Sequence, residues 1–255
     1  MSPKPLSLLP GALLVADAHY SGRRPELLDF LRSVASGETA ATQLVLMGDI
    51  FDLLFGPIPL THARNAEAVA TINAIAERME VVYLEGNHDF RLAALFPGVR
   101  VFALEAQPVA AQWGEKRVLL AHGDWGSEPL YRLYTALIRS RALLWLLRGI
   151  DALSGHGIIR RLDAYLEQKE DCGGFEGFEA YTARRLATIN LGDAALFIEG
   201  HYHQNRAFDV GGCRYVNLGA FACNQRYYEV QSSHEQQPLK EAFFRTETKG
   251  TAGTR

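Results

Sequence analysis

Five short apolar runs, each stopping at polar residues, give the chain its rhythm. Ala12-Leu13-Leu14-Val15 runs into Asp17 and His19, and Leu44-Val45-Leu46-Met47 into Gly48-Asp49-Ile50-Phe51-Asp52. Val81-Val82-Tyr83-Leu84 runs into Glu85-Gly86-Asn87-His88-Asp89, Val118-Leu119-Leu120-Ala121 into His122-Gly123-Asp124, and Ala195-Leu196-Phe197-Ile198 into Gly200-His201-Tyr202-His203. Runs of this length bounded by turn residues predict buried strands. Between the first three lie segments of helical period. Pro25 opens one, with Leu27, Leu28 and Leu31 on its apolar face. Residues 65–79 repeat Val69, Ile72, Ala76 and Met79, with Asn65 as candidate N-cap. Alternating strands and helices predict a largely parallel sheet covered by helices.

After His122-Gly123-Asp124 the texture changes. Residues 128–190 hold no convincing strand. Leu130, Leu133, Tyr134, Leu137 and Ile138 mark one amphipathic helix, and residues 142–153, 158–169 and 176–190 predict three more, separated by Ser154-Gly155-His156-Gly157 and Cys172-Gly173-Gly174. Strand texture then resumes, with closing strands at 214–217 and 227–230. The predicted organisation is an α/β core over 1–125 and 191–246, a helical insertion over 126–190 and a frayed polar tail over 247–255.

Composition narrows the classes. A formal net charge of -3 argues against a chain built to bind a nucleic-acid backbone. Three widely spaced cysteines suit a reducing compartment and give neither a disulfide framework nor a zinc-ligand spacing. Residues 1–5 do not open a signal peptide, because the first apolar run passes into Asp17 without a cleavage pattern. The most apolar stretch, residues 142–147, is too short to span a membrane and is flanked by Arg139, Arg141 and Arg148.

The five strand ends carry the candidate chemistry. Taken singly, each has an ordinary explanation. Asp17 and Asp49 suit turns, Asn87 suits a left-handed turn position, and His122 suits a satisfied core histidine. Jointly they place aspartates, histidines and one asparagine at the carboxyl ends of strands, where ligands bind in open α/β sheets. His62, His156 and His234 fall outside the pattern and are read as surface residues. Carboxylate, imidazole and amide donors without a thiolate suit manganese, iron, zinc or nickel. Two such ions lying ~3.5–4 Å apart, bridged by a carboxylate, clamp a phosphoryl group for in-line displacement.

In the order Asp-x-His, Gly-Asp-x-x-Asp, Gly-Asn-His-Asp, His-Gly-Asp and Gly-His-x-His, the motifs resemble those of the calcineurin-like metallophosphoesterases, over residues 17–203. The resemblance implies a metallophosphoesterase β-sandwich flanked by helices, with a helical lid. It implies two divalent ions, manganese foremost, with iron or zinc as the other choices. One would take Asp17, His19 and His203, the other Asn87, His122 and His201, with Asp49 bridging. His88 would be a catalytic residue that ligates no metal, stabilising charge on the phosphoryl oxygen or protonating the leaving group. Asp89 would orient His88, or else cap a helix starting at Phe90.

Within the superfamily the chain most resembles the UDP-2,3-diacylglucosamine pyrophosphatases of lipid A synthesis, through its size and the helical insertion following His122-Gly123-Asp124. That implies cleavage of a lipid-linked phosphoanhydride to UMP and 2,3-diacylglucosamine 1-phosphate. It also implies substrate contacts from Tyr131 and Arg132, where the lid begins, and a cytoplasmic enzyme in peripheral contact with the inner membrane. Leu143, Leu144, Trp145, Leu146 and Leu147 among arginines fit a lid that holds acyl chains, or equally the lid's own small core. One residue departs from the pattern: His88 stands where these enzymes commonly carry arginine. A phosphatase or phosphodiesterase acting on nucleotides or other small phosphoesters is the second reading. A non-catalytic scaffold is disfavoured by the complete ligand set.

Overall fold

The computed structural model describes residues 5–124, 137, 139–166 and 172–244. In chain order the strands are β1 (Leu6–Ser7), β2 (Leu13–Val15), β3 (Gln43–Leu46), β4 (Leu54–Phe55), β5 (Glu80–Leu84), β6 (Asp89–Phe90), β7 (Arg100–Phe102), β8 (Val109–Trp113), β9 (Lys116–Ala121), β10 (Leu196–Glu199), β11 (Arg206–Val210), β12 (Cys213–Asn217), β13 (Arg226–Val230) and β14 (Leu239–Phe243). The helices are α1 (Glu26–Ser36), α2 (Pro59–Arg64), α3 (Ala66–Ala76), α4 (Arg141–Leu153), α5 (Gly157–Leu166), α6 (Phe178–Leu186) and α7 (Phe221–Asn224).

Two six-stranded sheets stack face to face. One has the order β14-β13-β2-β3-β5-β7 and the other β1-β8-β9-β10-β12-β11. The runs that precede the polar motifs form the parallel strands β2, β3 and β5 of the first sheet and β9 and β10 of the second. They read as continuous apolar runs because both faces are buried. In the first sheet Leu13, Val15, Leu44, Leu46, Val81 and Tyr83 face α1 and α3. The intervening Leu14, Val45 and Val82 face Val118, Leu120, Leu196 and Ile198 of the second sheet. The outer face of the second sheet, through Leu119, Phe197 and Tyr215, is covered by Phe178 and Leu186 of α6. Helices thus cover only one face of each sheet, and the sheets bury the other face against each other.

Several expectations change in detail. Asn65 precedes α3, but its side chain does not cap it: Nδ2 donates to the carbonyls of Leu53 and Thr61. The buried stripe of α3 is Ala68, Ile72 and Ile75, while Val69 and Ala76 lie half-buried at its edge. The cysteines are not all free thiols: Cys172 and Cys223 form a disulfide across 51 residues, and Cys213 is free and buried. The helix predicted around Leu130 and the 247–255 tail lie outside the described residues. Among the described residues no helix is long and apolar enough to cross a membrane.

Candidate metal centre

Register brings the strand ends together. Parallel pairing aligns Val15 with Leu46 and Leu46 with Tyr83. Beyond the strands the ladder continues, with Asp17 N donating to Gly48 O (3.1 Å) and His19 N to Asp49 O (3.0 Å). In the second sheet Glu199 aligns with Ala121, and Gly200 N donates to His122 O at 2.9 Å. The loops carrying Asp17, Asp49 and Asn87 therefore leave one sheet beside the loops carrying His122 and His201 that leave the other.

All seven expected ligands converge. Asp17, His19 and His203 form one cluster, with His203 Nε2 3.2 Å from Asp17 Oδ1. Asp49, His122 and His201 form a second, with His122 Nε2 3.4 Å from both Asp49 Oδ2 and Asn87 Oδ1. Five of the seven, Asp17, His19, Asp49, His201 and His203, hold positive φ between 46° and 64°. Asp and His tolerate this region better than most residues, but each costs on the order of 1 kcal/mol, and such strain clusters at functional sites. Gly48 and Gly86 permit the close approach. A Cβ on Gly48 would lie 2.5 Å from His122 Nδ1, and one on Gly86 2.2 Å from Asp49 Oδ1.

The donors are set up for cations. His122 Nδ1 faces the Met47 carbonyl at 3.0 Å. A carbonyl only accepts, so Nδ1 carries the hydrogen and Nε2 presents its lone pair toward Asp49. His19 is arranged alike: Nδ1 meets the Asp52 carboxylate at 3.1 Å, and Nε2 is buried with no hydrogen-bond partner among the described residues. Without cations the site balances its charge on imidazoles. Burial pushes the Asp49 carboxyl up, but His122, His88 and His19 more than offset this and hold it well below the usual carboxylate range. His122 is held well above its ordinary value by Asp49 and Asp124 despite burial. Burial and the neighbouring His122 push His201 down to about 3. Orphaned imidazole nitrogen, buried carboxylates and the absence of thiolate fit divalent ions of borderline or harder character.

A family model described as calcineurin-like phosphoesterase matches residues 12–205. The chain belongs to that family. It is therefore a phosphoesterase of a class that works with divalent metals. Three curated relatives are named UDP-2,3-diacylglucosamine hydrolase. That of Stutzerimonas stutzeri is 30% identical over 154 residues, covering 59% of this chain and 64% of the relative. That of Aeromonas hydrophila is 23% identical over 203 residues, covering 77% and 83%. That of Sodalis glossinidius is 30% identical over 229 residues, covering 87% and 94%.

Around the ligands of this calcineurin-like phosphoesterase, two aspartates do work that the sequence did not reveal. Asp52 holds two histidines at once. Its carboxylate meets His19, and its carbonyl faces His88 Nδ1 at 3.0 Å, leaving His88 Nε2 4.0 Å from Asp49 Oδ2. Asp89, expected to orient His88 or to cap a helix, does neither. Its carboxylate accepts from the backbone N–H groups of Asp49, Ile50, Phe51 and Gly86 and from the Tyr83 hydroxyl. It thus shapes the loop that carries Asp49, and Phe90 lies in strand β6, not in a helix. His62, expected at the surface, is half-buried with Nε2 facing the Phe55 carbonyl. Tyr131 and Arg132 lie outside the described residues.

Beside the centre lies a cavity of about 320 Å³. Phe55, Phe90, Leu144 and Ile159 make it apolar, and Asn87 and His88 stand in its wall. Helices α4 and α5 form its far side, with Asp151 capping α5 through the N–H groups of Ile158 and Ile159.

Proposed function

We propose that this chain hydrolyses the phosphoanhydride of UDP-2,3-diacylglucosamine, with water as the second substrate, to UMP and 2,3-diacylglucosamine 1-phosphate. The observation that carries the reading is the continuity of the apolar cavity with His88 and Asn87. A small phosphoester has no use for such a cavity, whereas an acyl chain gains about 0.8 kcal/mol for every methylene it buries there. Four methylenes amount to about 3 kcal/mol, or a roughly 200-fold preference over an unacylated ester.

Asp17, His19 and His203 would hold one ion, and Asn87, His122 and His201 the other, with Asp49 between them. Manganese suits this donor set, with iron or zinc as the other choices. When bound, the ions supply an activated water and neutralise charge on the phosphoryl oxygens. The remaining work falls to the chain. Asp52 fixes the imidazole of His88 through Nδ1, so that Nε2 meets the phosphoryl group and can deliver a proton to the departing oxygen. Asp89 holds the Asp49 loop, and the cavity seats the acyl chain and excludes water beside the reacting phosphorus.

In this reading residues 126–190 form a lid over a core made of 1–125 and 191–246. The outer face of α4 exposes Trp145, Leu146, Ile150 and Leu153, with Arg148, Arg160 and Arg161 also exposed on α4 and α5. Exposed apolar side chains among cations suit peripheral contact with an anionic membrane surface on its cytoplasmic side. The test is a comparison of kcat/KM for the acylated UDP-sugar and for an aryl phosphodiester on manganese-loaded protein. At least 100-fold preference for the acylated substrate is expected. Equal rates would replace this reading with a general phosphodiesterase.

A further inference from the structure

Arg139 lies two residues before α4 and belongs to none of the motifs. Its side chain is 5% exposed. One guanidinium nitrogen, NH2, donates both to Gly86 O at 2.7 Å and to Asp124 Oδ2 at 3.1 Å. Gly86 immediately precedes Asn87, and Asp124 follows His122 by two residues. The guanidinium also lies over the Phe90 ring, 5.4 Å from its centroid, and its Nε and NH1 are buried with no hydrogen-bond partner among the described residues. The backbone on both sides is fixed as well: Arg91 Nε donates to the Arg139 carbonyl, and Leu144 N donates to Ser140 O at the start of α4.

Burying a guanidinium with donors left over is expensive, and a surface ion pair would tether α4 equally well. What this placement adds is a brace between two loops from different sheets. Asn87 Oδ1 and His122 Nε2, the donors those loops carry, stand 3.4 Å apart. We infer that Arg139 is a positioning residue that locks the Asn87 loop to the His122 loop, and so sets the geometry of the ion those two residues would share. It acts through Gly86 and Asp124 and touches neither the ion nor the substrate. Its side-chain hydrogen bonds go to Gly86 and Asp124, neither of which carries Asp17, His19 or His203. Loss of Arg139 therefore weakens one of two ions rather than both.

The inference rests on the two-ion reading of the site, and metal content tests it independently of activity. Full-length wild type and Arg139→Met are loaded with manganese and dialysed, and bound manganese is measured by elemental analysis. Electron paramagnetic resonance reports the coupled ion pair, and kcat and KM are measured on the acylated UDP-sugar. Arg139→Gln, which can still serve one carbonyl, takes the place of Arg139→Met if the latter does not fold. The expected result is retention of one ion, a second-ion Kd raised roughly 10- to 100-fold, loss of the coupled-pair signal and a fall in kcat with KM within about twofold. A folded variant that keeps both ions at wild-type affinity, whatever its melting temperature, overturns the role of Arg139 alone. A wild-type chain that binds fewer than two ions overturns the site reading and this inference with it.

Discussion

Replacing Gly86 with alanine puts a methyl carbon 2.2 Å from Asp49 Oδ1 and 2.6 Å from the Asp49 amide nitrogen. Ordinary contact begins near 3.5 Å, so the Asn87 loop and the Asp49 loop must separate by about 1 Å. The backbone of Gly86 is not left-handed, so alanine is compatible with its local conformation and the whole penalty comes from this contact. Overpacking of this kind costs about 1–3 kcal/mol, or several degrees of melting temperature at this chain length. The functional loss is larger, because a 1 Å misplacement at a reacting centre costs on the order of 10²-fold in rate. Gly86→Ala should therefore fold, melt somewhat lower, bind manganese more weakly and turn over about 100-fold more slowly. Gly149→Ala is the control. Gly149 sits in α4 with nothing near its missing Cβ among the described residues, and alanine there should stabilise by about 0.5–1 kcal/mol without changing turnover. Parallel measurement of melting temperature, manganese content and kcat checks both. Wild-type turnover and metal content in Gly86→Ala would refute the geometry of the Asp49 loop described above.

Three further outcomes follow from the same site. Asp52→Asn removes the carboxylate from His19 but keeps the carbonyl for His88, so metal affinity should fall about 10- to 100-fold; equilibrium dialysis showing wild-type affinity contradicts this. His88→Ala should lower kcat by about 10²- to 10⁴-fold while metal content stays at the wild-type level; parallel loss of metal would make His88 a ligand. The third outcome concerns acid. His201 in the metal-free chain is pushed down to about 3 by burial and His122, whereas the unfolded chain protonates it near 6.5. At this site the unfolded state then binds the extra proton between those values, which by itself lowers stability as pH drops, by up to about 1.4 kcal/mol per pH unit; Asp89, pushed up to about 7 by burial and Asp49, acts in the opposite direction, because there the folded chain takes up the proton first. Asp17 and Asp49, whose pKa values lie below the ordinary 3.8, add to the loss at still lower pH. Urea unfolding of chelator-treated wild type and His201→Asn at pH 6.5, 5.5 and 4.5 checks the sign, because Asp89 is common to both: wild type should lose stability relative to the variant on acidification, and an unchanged or opposite difference refutes it.

The strands that carry the site were legible because each is buried on both faces, which writes an unbroken apolar run ending at its polar cargo. β8 was not, since Val109, Ala111 and Trp113 point inward while Ala110 and Gln112 are exposed, and the run follows Pro108. β11 and β14 are largely exposed edge strands whose structure comes from pairing with β12 and β13. The polar strand ends could be read from residue type and position, while the choice of seven donors among them, with His88 set apart, came from the family resemblance. Their supports could not. Asp89 serves amides 38 to 40 residues away, Arg139 serves a glycine carbonyl 53 residues away, and Cys172 pairs across 51 residues. None of these partners leaves a local pattern, because backbone amides and carbonyls occur at every position.

The site lies where the two sheets meet, and its bonds cross that junction. His122 on one sheet faces the Met47 carbonyl of the other, and His201 N from the former donates to the Asp17 carboxylate of the latter. An ion held by ligands from both sheets would thus be a rivet through the open end of the sandwich. Binding energy at such a point would become resistance to prying the sheets apart, because four of the seven expected ligands leave one sheet and three the other. Removing the metal should then be felt first as a gape: amides at 86–89, 122–124 and 200–203 would begin to exchange together, at a common rate, while those deep between the sheets stay closed.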